Sequence, residues 1–278
     1  MKDELVFLKL GGSLITEKAR QETARPDVLV RVAAEIAAAL QAQPGLSLVL
    51  GHGSGSYGHF AAERYGIHRG HPREWWGYAE TAAAAARLDR LVIDTCLAAG
   101  VPVVALQPSA SARTRDGELV ELADWPLSEL MGHRLVPVVY GDVALDETRG
   151  CSIISTEQIF AHLARRLVPR RILLVGEVDG VYTADPQRDP EARVIPCLTP
   201  DSWQAAQRQF AGARGVDVTG GMHTKVRQML DLVAEMPGLH VSIFSGLEPG
   251  RVKAALLGNA GGTLLEAETP CQLREPGL

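Results

Sequence analysis

The chain has 278 residues, 46% of them hydrophobic and 22% charged, an ordinary globular composition long enough for one large α/β domain or two fused lobes. Its net charge of −5 argues against a nucleic-acid or acidic-membrane surface as the main partner, so any affinity for phosphate must be local. No apolar run is long enough to span a bilayer, and Met1-Lys2-Asp3-Glu4 runs straight into a strand-like segment without room for a signal peptide. The four cysteines (Cys96, Cys151, Cys197, Cys271) form no C-x-x-C pair, so reduced thiols in a cytoplasmic protein are expected, with neither a zinc knuckle nor a disulfide frame.

Leu5 to Leu10 reads as a buried strand, and Lys9-Leu10-Gly11-Gly12-Ser13 closes it with a glycine turn. From Asp27 a helical pattern places Val28, Val32, Ile36 and Leu40 inward and ends near Pro44-Gly45. Leu46 to Leu50 is a second strand, followed by Gly51-His52-Gly53-Ser54-Gly55-Ser56-Tyr57-Gly58-His59, with His59 near a helix start. A long alanine-rich helix runs from about Gly77 to Ala99, and Val101 to Leu106 is a third strand. A hairpin tip is predicted at Arg115-Asp116-Gly117-Glu118, a strand at Leu135 to Tyr140, and a second hairpin over Leu145 to Ile154. Ser155 caps a helix reaching about Leu167. After Pro169 come a strand at Ile172 to Val175, a loop through Asp185-Pro186, a helix at Met222 to Glu235, and strands at Leu239 to Phe244 and Thr263 to Glu266. Apolar strands between helices indicate an α/β fold with a largely parallel sheet. Pro169 is the predicted lobe boundary, dividing the chain into residues 1–168 and 169–278.

Three glycine-bearing segments carry the chemistry: the two turns above and Asp217-Val218-Thr219-Gly220-Gly221-Met222-His223-Thr224-Lys225. Exposed backbone N–H groups, helix starts and lysines are what holds phosphates, so three such segments suggest one polyphosphate track and a small-molecule phosphotransferase. Lys9 is a lysine inside an apolar strand, which is costly unless paired. His59 is placed to meet a phosphate monoester. Lys225 lies one turn into its helix, and Lys18 sits in a polar loop. Glu177-Val178-Asp179-Gly180-Val181-Tyr182 is a strand-to-loop crossing fit for a base and ribose. Gly53 to Gly58 also matches G-x-G-x-x-G, but no second strand with an acidic end follows, which disfavours a dinucleotide enzyme. No Walker A sequence and no protein-kinase signature is present, and His52, His68 and His71 lack metal-ligand spacing.

The ordered set of K-x-G-G-S, H-G-x-G-S-[FY]-G-H, G-D-V, V-D-G-[VI]-Y-x-x-D-P and D-V-T-G-G-M-x-x-K resembles the amino acid kinase superfamily over about residues 5 to 266. Within it the glycine turn ending at Gly58-His59 is most similar to the isopentenyl phosphate kinases, with the fosfomycin kinases next. The resemblance implies an open αβα sandwich, with an N-terminal acceptor lobe and a C-terminal nucleotide lobe. It also implies ATP with Mg²⁺, for which no protein ligand is assigned, a homodimer, and an isoprenoid monophosphate as acceptor. The implied reaction makes isopentenyl diphosphate for isoprenoid biosynthesis by an alternative mevalonate route. A non-catalytic nucleotide-binding module is the rival from another class. By position, Lys9, Gly11, Gly12, Ser13, Gly55, Glu177, Asp179, Tyr182, Gly221 and Lys225 would lie along ATP. Ser54, Gly58, His59, Tyr78 and Thr156 would meet the substrate, with Tyr78 and Ala82 to Ala86 as a wall for its tail. Lys9, Lys18, His59 and Lys225 are the implied catalytic set, and Glu157 the residue that orients the lysines. Three segments depart from the family pattern: Ser54 for a glycine, Thr156-Glu157 for Gly-Asp, and Gly176-Glu177 for Thr-Asp.

Overall fold

The computed structural model describes residues 4–72, 74–186, 188–204 and 220–267. Strand β1 (Glu4–Leu10) shows how its layers arise. Side chains alternate across a strand, so Val6, Leu8 and Leu10 enter one apolar layer while Phe7 enters the other. Both faces of this strand are buried, as a parallel central strand requires.

Parallel pairing joins β1 to β2 (Leu46–His52) on one side and to β9 (Arg171–Gly176) on the other. The sheet extends through β6 (Val136–Tyr140) and β3 (Val103–Ala105) at one end. At the other end lie β11 (His240–Ser245), β12 (Thr263–Leu265) and β10 (Cys197–Leu198). Among the described residues the order of this eight-stranded sheet is β10-β12-β11-β9-β1-β2-β6-β3, and only the β11–β12 pair is antiparallel. Pro169 falls just before β9, and the sheet continues across it.

Helices cover both faces. One layer packs α2 (Pro26–Ala42), the long α4 (Trp76–Ala98) and α8 (Arg251–Leu256) on the sheet. The other packs α5 (Trp125–Gly132), α6 (Thr156–Leu167) and α7 (Gly220–Glu235). The fold is therefore the expected αβα sandwich with a mainly parallel sheet. A smaller sheet stands at its edge, formed by β4 (Arg113–Arg115), β5 (Glu118–Glu121), β7 (Asp142–Asp146) and β8 (Gly150–Ile154). Its first hairpin turns at Asp116 and Gly117, both with positive φ, the pair a type I′ turn demands. Two short helices complete the frame needed for the site, α1 (Gly12–Ile15) and α3 (Gly55–Arg64). Cys96 and Cys151 are buried free thiols. Cys197 is disulfide-bonded, which corrects the expectation of reduced thiols: spacing along the chain does not report distance in space.

Candidate active site

The central parallel strands end at one edge, and each hands its chain to a turn there. β1 leads into Gly11–Ser13, β2 into Gly53–Gly55 and β9 into Gly176–Val178. Open α/β sheets bind ligands outside such carboxyl ends. These three turns, with Lys9, Lys18, Met222 and Lys225, line a cleft of about 630 Å³. Its floor is backbone against backbone: a Cβ on Gly12 would stand 2.6 Å from the Gly55 amide nitrogen, and one on Gly53 would stand 2.9 Å from that of Gly12. Thr16 ties the turns together, its hydroxyl donating to Gly12 O (2.7 Å) and accepting from Ser56 N (3.0 Å). The amides of Gly12, Ser13, Ser54 and Gly55 have no acceptor among the described residues and are left for an anion. Gly12→Ala must push the two turns apart; it is expected to cost about 1–3 kcal/mol of stability and to raise the KM for a nucleotide, checked by thermal melts and initial rates.

Lys9 is positioned by the same alternation that built the core. It shares a face of β1 with Phe7, whose ring packs on Phe160 of α6 at 5.0 Å. One helical turn earlier on α6, Glu157 then meets the Lys9 ammonium directly. Ser155 caps this helix, accepting from Gln158 N, while the Gln158 side chain accepts from Ser155 N, so the register of Glu157 is fixed. Lys225 of α7 approaches the other oxygen, Oε1, at 3.4 Å. Burial pushes the Glu157 carboxyl up, but the ammonium charges of Lys9 and Lys225 outweigh it and hold the group at about 2. Burial also pulls Lys9 below its ordinary value, and Lys225 adds to that, while Glu157 opposes both. Lys18 is different: its side chain is 75% exposed, and its ammonium stands 3.6 Å from Glu177, which also takes Arg25 at 2.9 Å.

A second cavity, of about 360 Å³, opens beside the first. Ala62, Thr81, Ala85 and Ile153 make its wall, with Gly58, Asp142 and His68 also on its lining. Ser54 and His59 line both cavities and mark where they meet. The His59 imidazole is 77% exposed, with only a 3.9 Å approach to Glu63, and so is free to engage a ligand. Asp142 is buried; burial pushes its carboxyl up, against donation from Ser109 N (3.0 Å) and Val143 N (2.8 Å).

A cationic, amide-lined cleft that opens into an apolar chamber fits transfer between a polyphosphate and an acceptor with a hydrocarbon part. Comparison with known proteins agrees. The amino acid kinase family model matches residues 4–245. The chain belongs to the amino acid kinase family. It is 38% identical to the isopentenyl phosphate kinase of Methanothermobacter thermautotrophicus, over 91% of this chain and 96% of that one. It is 30% identical to that of Methanocaldococcus jannaschii, over 94% and 98%. A solved isopentenyl phosphate kinase superposes with a TM-score of 0.81 at 34% identity, covering 94% of this chain and all of the other. The Thermoplasma acidophilum enzyme in its product complex gives 0.75 at 26% identity. A carbamate kinase at 16% identity and TM-score 0.70 shares the fold alone.

In this family member the structure brings most of the expected residues to the cleft. Lys9, Gly11, Gly12, Ser13, Lys18, Ser54, Gly55, His59, Glu177 and Lys225 all line it. Gly221 lies in α7 beside Met222, while Asp217, Val218 and Thr219 lie outside the described residues. Other expected residues stand elsewhere. Tyr78 packs against the cluster of Ala62, Ile67, Val143 and Cys151 and against Trp75 (5.8 Å), outside the cavity lining. Of the alanine stretch only Ala85 reaches the cavity, joined by Thr81. Thr156 is buried, its hydroxyl donating to His52 O at 2.7 Å. Asp179 and Tyr182 face each other at 3.3 Å and line neither cavity. Asp142 and Ile153 were missed; Gly141-Asp142-Val143 had marked the segment without marking its place on the lining.

Proposed function

We propose that this chain transfers the γ-phosphoryl group of ATP to isopentenyl phosphate, giving ADP and isopentenyl diphosphate for isoprenoid biosynthesis. The observation that carries this reading is the junction at Ser54 and His59, where a charged cleft and an apolar chamber open on one another. In it, ATP lies along Lys9, Gly11, Gly12, Ser13, Gly55, Glu177, Gly221 and Lys225. The acceptor phosphate sits at Ser54, Gly58 and His59, and its tail lies along Thr81, Ala85 and Ile153.

Phosphoryl transfer asks for alignment and charge neutralisation rather than covalent help. Lys9 and Lys225, held by one carboxylate, neutralise charge growing on the γ-phosphoryl oxygens. The free amides of the two turns act as donors that need no reorganisation. His59 holds the acceptor phosphate in line. Lys18, exposed on its loop, is positioned to follow the group in transit. A phosphate monoester is already anionic, so no general base is required. Among the described residues no group of three or more His, Cys, Asp or Glu side chains is placed to hold a metal ion. Mg²⁺, which is commonly bound by one or two carboxylates and the substrate's phosphates, needs no such group and would supply further charge neutralisation at the phosphates. A homodimer in the cytoplasm belongs to the same reading and rests on the resemblance to the superfamily; sedimentation measures the mass.

The test is ADP release with ATP, Mg²⁺ and a panel of isopentenyl phosphate, dimethylallyl phosphate, geranyl phosphate, fosfomycin, N-acetylglutamate and UMP. The highest kcat/KM is expected on isopentenyl phosphate. Turnover on fosfomycin alone would move the chain to that branch of the family. ATP binding without turnover on any acceptor would favour a non-catalytic module.

A further inference from the structure

His52 opens the second glycine segment, yet its side chain never reaches either cavity. It is completely buried at the end of β2. Its Nδ1 lies 3.1 Å from Gly53 O and its Nε2 lies 3.1 Å from Asp89 Oδ1. A carbonyl only accepts, so Nδ1 is the donor to Gly53 O, and Nε2 is the nitrogen that faces the Asp89 carboxyl. The ring also stacks on Tyr140 at 5.4 Å with a 14° interplanar angle. The backbone carbonyl of His52 accepts from Gly141 N (3.0 Å) and from the Thr156 hydroxyl (2.7 Å).

These contacts lead to three parts of the acceptor chamber's lining. Gly53 begins the turn that carries Ser54. Gly141 and Asp142, which follow Tyr140, are on the chamber lining. Asp89 sits on α4 one turn past Ala85 and two turns past Thr81, on the stripe that forms the chamber wall. We infer that His52 and Asp89 are positioning residues for the acceptor, holding the phosphate-facing turn and the chamber-forming helix in one register. A residue that only filled space here would need no polar atoms, since an apolar pair of similar volume is often as stable as a buried polar pair.

That difference supplies the test, which rests on the acceptor reading above. Turnover of the unmodified chain on the panel decides that reading separately, and the variants are assayed with whichever acceptor it uses best. In the double variant His52→Leu/Asp89→Leu neither member of the buried pair is left without its partner, and only the half-buried Gly53 O loses a donor, so it is expected to melt close to the unmodified chain. Its kcat/KM for the acceptor is expected to fall at least about tenfold, because misplacement by an ångström is enough to do so. Its KM for ATP is expected to stay within twofold. Unchanged kcat/KM for the acceptor, or equal losses toward ATP and acceptor, would overturn the inference. Should the apolar pair fail to fold, Asp89→Asn, which keeps the shape, carries the same measurement. A raised acceptor KM with an unchanged ATP KM supports the assignment, and parent-like values for both refute it.

Discussion

His59→Ala is expected to lower kcat/KM for isopentenyl phosphate by about 10²–10³-fold while leaving ATP binding and the melting temperature nearly unchanged. The prediction follows from what the side chain lacks. It is 77% exposed, it has only a 3.9 Å neighbour in Glu63, and its ring touches Phe60 edge-on at 6.5 Å. Surface side chains with so few contacts contribute little to folding, typically within about 0.5 kcal/mol. A loss of rate cannot then be blamed on a damaged scaffold. Of the two imidazoles on the chamber lining, His59 and His68, only His59 also lines the cleft, so it is the one that stands where a phosphate group from the apolar side would meet the nucleotide. Steady-state kinetics with each substrate varied, beside nucleotide titration by calorimetry, separate the two effects. If the acceptor KM and kcat of the variant match the unmodified chain, His59 does not hold the acceptor. An ATP affinity that falls in parallel would place the imidazole on the nucleotide instead.

What the sequence made legible and what it did not divide along physical lines. β1, β2 and β9 were readable because both faces are buried, so each is a short apolar run ending in glycine. The start of α6 was readable because its cap is local, a serine and a glutamine three residues apart. Lys9 was readable as an anomaly, a charge in an apolar strand, and the structure supplies its partner 148 positions later in Glu157. The acceptor chamber was not readable in this way. Ala62, Thr81 and Ile153 are ordinary residues, and only the packing of α3, α4 and β8 makes them a wall. Tyr78 shows the limit well: seven residues before Ala85 it lies on the same helical stripe, but two turns further along, where Trp75 and the cluster around Cys151 take it up. The His52–Asp89 contact joins residues 37 apart with no local pattern between them.

Glu157→Gln is expected to be the most damaging single change, costing about 3–5 kcal/mol of stability and about two orders of magnitude in kcat. The carboxylate is buried between two ammoniums, and its removal leaves Lys9 buried without a counter-charge. The pH dependence gives the prediction its sign. Burial and Lys225 lower the Lys9 value, and Glu157 is what raises it. Without the carboxylate, Lys9 loses its proton at lower pH. The alkaline limb of kcat/KM for ATP must therefore move toward neutrality in the variant. On the acid side the reasoning reverses. The Glu157 carboxyl is lowered from 4.5 to about 2, so the stability it contributes is full above about pH 4.5 and is lost as pH falls toward 2. The glutamine variant has no such group to protonate, and its stability should change less over that window. Chemical denaturation at several pH values and a pH–rate profile check the two limbs independently. Glu157→Asp keeps the charge and withdraws it by one methylene, so it should keep the alkaline limb near its original place and lose rate only through looser placement of the lysines. A glutamine variant whose alkaline limb stayed put would mean that Lys9 takes its charge balance from elsewhere, and the shared carboxylate would no longer explain why a lysine can stand in the middle of this strand.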